Sequence, residues 1–259
     1  MPTEIVSVGR ISIKTKMKKL LILLIPLMIF AQGSAPHGSS LLFDANGDYI
    51  TIGNIASLKF NQKTIIAWIK PLMMNTLTHY FVFSSGDMAF YFDVYDQKLF
   101  VSYLNTAGAQ VGITLSSTND LKLNQWQMMA ITQRIPDADS VISIGYVDGI
   151  AKLTVNSTAG YKSSYGTNYA IGQFTSGHDL LFNGYIRSVQ YYHRVVSATE
   201  LLWLYNHPEK IYSTDSLKGY WTLNEFTGAT AGDSSGAGNN GSIIGATWSF
   251  DTPVKSGGN

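Results

Sequence analysis

The sequence predicts an all-β fold, an antiparallel β-sandwich with one short helix near residues 197–206. Three observations carry that prediction. Short apolar or alternating runs recur at near-regular spacing, punctuated by Gly, Asn, Asp and Ser. Only one stretch, Val195 to Tyr205, combines a helix start signal with a helical run. The 259 residues are 12% aromatic, with 24 glycines and no long charged run, which suits one large β-rich domain and argues against disorder.

Taken in order, Leu41, Phe43, Tyr49, Ile50 and Ile52 bracket the turn Ala45-Asn46-Gly47-Asp48, the pattern of a hairpin. Ile65 to Ile69, with Trp68, is an apolar run that reads as a central strand. Tyr80 to Phe83 and Ala89 to Tyr95 are strands joined through Ser84-Ser85-Gly86-Asp87. Lys98 to Leu104 and Gln110 to Leu115 continue a meander, and Met128 to Thr132 with Val141 to Val147 form a further pair. Tyr169, Ile171 and Gly172 make a short strand running into a polar loop. Leu180 to Tyr192 is strand-like, with Ile186, Val189 and Tyr191 able to bury one side. Ser197 is the N-cap of the helix and Glu200, three residues on, completes a capping box. Leu201, Leu202 and Leu204 then give the helix an apolar face to pack on a sheet edge.

These elements resemble a known family. Phe182-Asn183-Gly184-Tyr185-Ile186, the aromatic strand Val189 to Tyr192 and the helix Ser197 to Tyr205 resemble the close of a LamG-like domain. Leu41 to Ile52 resembles that family's F-D-G-x-x-D-Y-V opening, and Thr64 to Pro71 its S-A-W-V-K strand. Trp126 to Thr132 and Gly145-Tyr146-Val147-Asp148-Gly149 match its W-x-x-x-A-x-T and Y-V-D-G strands. The ordered set covers roughly residues 41–205. The resemblance implies a jelly-roll domain of the concanavalin A-like lectin/glucanase superfamily.

One segment is out of the family's order. Gly219 to Gly228 and Asp233 to Gly241 resemble a piece that in most LamG-like chains precedes the domain. Residues 217–250 are therefore expected to supply the missing edge strands of the same domain. Trp221 and Leu223 should face inward and Tyr220 and Thr222 outward, on a strand pairing with Phe182 to Tyr192. Asp233 to Gly241 should turn into a strand from Ser242 to Trp248. The expected layout is a basic tail and apolar segment over 1–33, a linker over 34–40, one domain over 41–250 and a flexible tail over 251–259.

Met17-Lys18-Lys19 followed by the apolar run Leu20 to Ala31 reads as a secretory signal, with cleavage after Ala31 or Gly33. An uncleaved membrane or assembly segment is the alternative, and a membrane is then expected to be engaged only through residues 20–31. Without residues 1–31 the chain keeps 13 basic and 16 acidic residues, so no basic patch suggests nucleic acid. The absence of cysteine removes disulfide and thiolate chemistry.

Enzymes of the superfamily carry Glu-x-Asp-x-Glu on one strand, two carboxylates on one face. Here Glu4, Glu200, Glu209 and Glu225 are the only glutamates, and none lies between residues 41 and 196. Asp93 and Asp96 have the odd spacing that puts them on opposite strand faces. The expectation is therefore no enzyme activity. No cofactor is expected; calcium could use Asp44 and Asp48, which read more simply as turn residues. His37, His79, His178, His193 and His207 lack metal-ligand spacing.

Sugar binding needs aromatic faces and polar groups on loops of a rigid frame. Tyr161, Tyr165 and Tyr169 lie in one polar stretch, and His178 and Asp179 in its neighbour; these five are the candidate ligand-binding residues. The alternative for Tyr161 and Tyr169 is inward packing as strand residues. The expected function is a non-catalytic extracellular binding module, secreted or at the cell surface, with a glycan or surface protein as partner. The other reading is a structural or adhesive component of a cell surface or virion, where LamG-like domains also occur.

Overall fold

Strand residues alternate between two faces, so a chain of alternating runs buries one face of each sheet against another sheet. The structure is a computed structural model and describes residues 38–53, 62–74, 78–85, 90–162, 168–173, 181–208 and 210–253. The expected signal, the first four linker residues and the last six residues of the tail fall outside them. In chain order the elements are β1 (Ser40–Asp44), β2 (Tyr49–Gly53), β3 (Lys63–Pro71), β4 (His79–Ser85), β5 (Phe90–Tyr95), β6 (Lys98–Leu104), β7 (Gln110–Thr114) and β8 (Gln127–Asp137). They continue with β9 (Ser140–Val147), β10 (Ile150–Ser157), β11 (Tyr169–Ile171), β12 (Asn183–Tyr192), α1 (Ala198–Asn206), β13 (Leu217–Trp221), β14 (Thr230–Ala231), β15 (Gly241–Ile244) and β16 (Thr247–Ser249).

Two eight-stranded antiparallel sheets result. Sheet A runs β10-β9-β8-β3-β12-β1-β16, with β13 also on β12; sheet B runs β14-β15-β2-β11-β4-β5-β6-β7. One continuous core lies between them, including Phe43, Ile50, Phe83, Tyr103, Phe182, Ile186, Tyr191 and Trp221. Ile186, Val189 and Tyr191 all reach it although their spacing is irregular. A register shift between Arg187 and Gln190, with Ser188 at φ 56°, inserts one residue and restores the inward face.

Four expectations are corrected. The run from Leu41 to Ile52 is not a hairpin: β1 pairs with β12 and β16 in sheet A, whereas β2 pairs with β11 and β15 in sheet B. Its turn, with Ala45 at φ 63° and Gly47 at φ 84°, carries the chain from one sheet to the other. Ser242 to Trp248 is likewise not one strand. It breaks at Gly245 (φ 74°), where any Cβ would collide with the Asp48 carboxylate, and β15 and β16 join different sheets. The linker and tail boundaries also move. Ser39 and Ser40 are buried and hydrogen-bonded to Leu223, Asn224 and Asp251, and Asp251 is itself held by side chains of sheet A. Finally, α1 lies on the outer face of sheet A rather than on an edge. Leu201 and Leu204 pack with Ile66, Trp68, Met128, Ala130 and Tyr146, while Leu202 stays 46% exposed.

The displaced segment enters both sheets. β13 pairs with β12, placing Trp221 opposite Val189, and Trp221 and Leu223 are fully buried. Tyr220 turns to the other face, as expected, and is covered there by the cluster under α1. β10 has no counterpart in the sequence reading; it is an edge strand whose residues are exposed or half-buried, so its pattern carries no buried face. Among the described residues no helix is long and apolar enough to cross a membrane.

Candidate functional site

The two outer faces differ in how the chain itself treats them. On sheet A, α1 covers one half. Its capping box is formed: Ser197 Oγ accepts from the Glu200 amide and the Glu200 carboxylate from the Ser197 amide. Arg194 pairs with both Glu200 oxygens at 2.6 and 2.9 Å, which holds that carboxyl down to about 2. Tyr205 stacks on Trp68 with ring centroids 5.8 Å apart. The other half carries Asp251, whose carboxylate accepts from Lys70 Nζ at 2.6 Å and Trp126 Nε1 at 2.7 Å.

Sheet B carries a different surface. Directly paired residues share a face, and one register row crosses all eight strands: Thr230, Ser242, Thr51, Ala170, Ser84, Tyr91, Ser102 and Gly112. Five of the eight are Thr or Ser and two are Ala or Gly, so the row is a strip of short side chains roughly 30 Å long. Thr230, Ser242 and Gly112 are exposed at its ends, while Ala170, Ser84 and Ser102 are fully buried at its centre.

Beside that strip lies a row of Phe81, Asp93, Phe100 and Thr114 on β4 to β7. His79 and Tyr95 form the next pair. His79 Nδ1 is 2.5 Å from Asp93 Oδ2, stacks on Tyr95 at 4.1 Å and meets the Phe100 ring edge-on at 5.2 Å. Burial of Asp93 disfavours its charged form and lifts its carboxyl to about 6, the His79 contact offsetting part of the rise. His79, Tyr95 and Phe100 are half-buried, so their rings border solvent above a buried carboxylate. Aromatic faces next to fixed hydroxyl and carboxylate groups can hold a flat polyhydroxylated ligand through its apolar face and its hydroxyls together.

Of the five residues singled out from sequence, the structure describes Tyr161 and Tyr169. Tyr161 is buried, its hydroxyl accepting from Lys63 Nζ at 3.0 Å, and Tyr103 lies beside its ring. Tyr169 is 4% exposed and packs near Phe83 in the core. Neither offers a ring face to a ligand, and inward packing is the reading that fits both. Tyr165, His178 and Asp179 lie outside the described residues. Asp96 sits in the turn between β5 and β6 and pairs with Lys98 at 3.1 Å, away from Asp93. Asp44 and Asp48 bind turn amides, Asp44 Oδ1 that of Asn46 and Asp48 Oδ2 that of Asp44. Among the described residues no three His, Cys, Asp or Glu side chains converge as metal ligands. His79 and Phe100 were missed, and Asp93 was set aside. The signal for them is alternation: His79 and Phe81 interleave with Tyr80 and Val82, and Asp93 and Tyr95 flank Val94, polar or aromatic groups opposite an apolar face.

No curated protein matches the chain. Among solved structures, a protein from Bacteroides ovatus ATCC 8483 described as a candidate carbohydrate binding protein aligns with a TM-score of 0.65 and 18% identity. The alignment covers 84% of this chain but only 61% of that one. The heptameric SAP-like pentraxin of Limulus polyphemus aligns at 0.51 with 16% identity, over 67% of this chain and 84% of its own. The receptor binding domain of botulinum neurotoxin mosaic serotype C/D aligns at 0.52 with 14% identity, over 66% of this chain and 42% of that one. All three share the sandwich. A laminin G family model matches residues 44–202, well over half of the chain, and with the two-sheet jelly roll it shows that the chain belongs to the concanavalin A-like lectin/glucanases superfamily.

Proposed function

We propose that this chain is a non-catalytic, extracellular binding module whose ligand is carbohydrate, held on the outer face of sheet B. The observation that carries the reading is the set of half-buried rings of His79, Tyr95 and Phe100 around the carboxylate of Asp93. Tyr165, His178 and Asp179, which lie outside the described residues, are proposed as further ligand contacts; Tyr161 and Tyr169 support the frame from the core. Asp93 is the single carboxylate in the two rows, and glycoside hydrolysis uses a pair. The description of the Bacteroides ovatus protein agrees with a carbohydrate ligand.

A glycan array tests this. Wild-type protein is expected to bind a subset of glycans. Tyr95→Ala and Tyr165→Ala are expected to weaken that binding about tenfold, the order of one lost aromatic contact, with unchanged cooperative melting. A wild-type protein silent across a broad array refutes the carbohydrate assignment and favours a structural or adhesive part.

A further inference from the structure

Two polar side-chain atoms on the outer face of sheet B are buried and lack a hydrogen-bond partner: Asp93 Oδ1 and Ser102 Oγ. A buried polar group without a partner is costly, and such orphans in a folded chain point to a partner that binds there. The two stand together. Asp93 on β5 is opposite Phe100 on β6, and Ser102 is two residues farther along β6, so they are diagonal neighbours on one face. Diagonal neighbours are about 7–8 Å apart, a gap that one hydroxyl group hydrogen-bonded to both side chains closes.

The surroundings select the occupant. His79 Nδ1 engages Asp93 Oδ2, which leaves Oδ1 as the open acceptor. An ionised carboxylate accepts only, and the Ser102 hydroxyl can donate or accept, so the occupant must donate to one and pair with the other. A neutral hydroxyl satisfies both, whereas an anion meets repulsion from Asp93. Next to Ser102 the Phe100 ring leans over Gly112, where any Cβ would run into its tip. An aromatic face and a hydroxyl receptor thus lie side by side.

Resting on the carbohydrate reading above, we propose that Asp93 Oδ1 and Ser102 Oγ together receive one hydroxyl of a neutral sugar, with the half-buried Phe100 ring displaced from Gly112 to lie against the sugar's apolar face. These two residues then determine which hydroxyl configuration is accepted.

The test is calorimetric titration of the full chain with methyl glycosides of glucose, galactose, mannose and fucose, together with their short oligomers. It is paired with the ¹³C-carboxyl resonance of Asp93. For the glycoside that binds, Ser102→Ala and Asp93→Asn are expected to weaken affinity about tenfold or more, as for a hydrogen bond involving a charged group. The Asp93 resonance is expected to move on saturation. If Asp93→Asn fails to fold, Ser102→Ala carries the affinity measurement alone. Glycoside binding that Ser102→Ala leaves undiminished, with a stationary Asp93 resonance, overturns the proposal and assigns the orphans to buried water, while the carbohydrate reading survives. A wild-type chain that binds none of these sugars nor any arrayed glycan overturns both.

Discussion

A carboxyl group removed from water holds its proton more tightly, and at Asp93 that effect outweighs the adjacent His79. The folded chain therefore binds a proton in a range where the unfolded chain has lost it. From the ordinary value of 3.8 to about 6, Asp93 makes stability fall as pH rises, and beyond about 6 its contribution is flat. The full drop is about 3 kcal/mol, at about 1.4 kcal/mol for each pH unit of the window. Glu200 acts in the opposite sense. Arg194 holds its carboxyl near 2 against an ordinary 4.5, so its contribution grows as pH rises through that window and is complete above it. Urea midpoints measured from pH 3 to 7 should show stability highest between about pH 4 and 5. In Asp93→Asn the falling limb should vanish; a variant curve parallel to wild type would show that Asp93 is not the group titrating. The importance of Asp93 is hard to read from sequence, since burial of an alternate strand residue depends on what the fold brings over it.

At the scale of elements, α1 is the part most fully legible in the sequence. Ser197 and Glu200 form both hydrogen bonds of the capping box, and a short helix depends on such caps because few of its backbone groups are satisfied internally. Ser197→Ala should cost about 1 kcal/mol in a urea titration, and Arg194→Ala up to about 1 kcal/mol more, screened by salt. A Ser197→Ala midpoint equal to wild type would mean that packing of Leu201 and Leu204 alone holds the helix. The β1–β2 corner shows the limit of local reading. A hairpin and a sheet-to-sheet crossing share the same alternation and the same Asn-Gly-Asp turn, and only the partners β12, β16, β11 and β15 separate them. Those partners lie more than a hundred residues away along the chain. The spacing of Ile186, Val189 and Tyr191 makes the same point, because a bulge at Ser188 resets the period of two. The candidate site was legible as alternation but not as a site, since its rows exist only once strands from distant segments are in register.

At the scale of the molecule, the sandwich is closed by its C-terminal segment. β13 lies on β12 along residues 189–192, where β1, which pairs with residues 183–186, stops. β15 covers the edge of β2, and β16 covers the edge of β1. Trp221, the largest fully buried side chain, stands near Phe83 across the sheets and donates its Nε1 proton to the Asn239 carbonyl at 2.8 Å. Deleting residues 217–259 therefore opens edges in both sheets and empties the position of Trp221. Exposed strand edges invite pairing with other chains. Loss of one buried Trp costs roughly 3–5 kcal/mol, comparable with the whole stability of many domains. The fragment ending at Ser216 should be insoluble, or molten with a lost near-ultraviolet circular dichroism signal. Trp221→Ala in the full chain separates the two effects: it removes the core ring and keeps every strand, so it should lower the urea midpoint without causing aggregation. A fragment that stays soluble and unfolds cooperatively would show that sheets A and B hold together without these strands, and that the C-terminal segment is an addition to a self-sufficient sandwich.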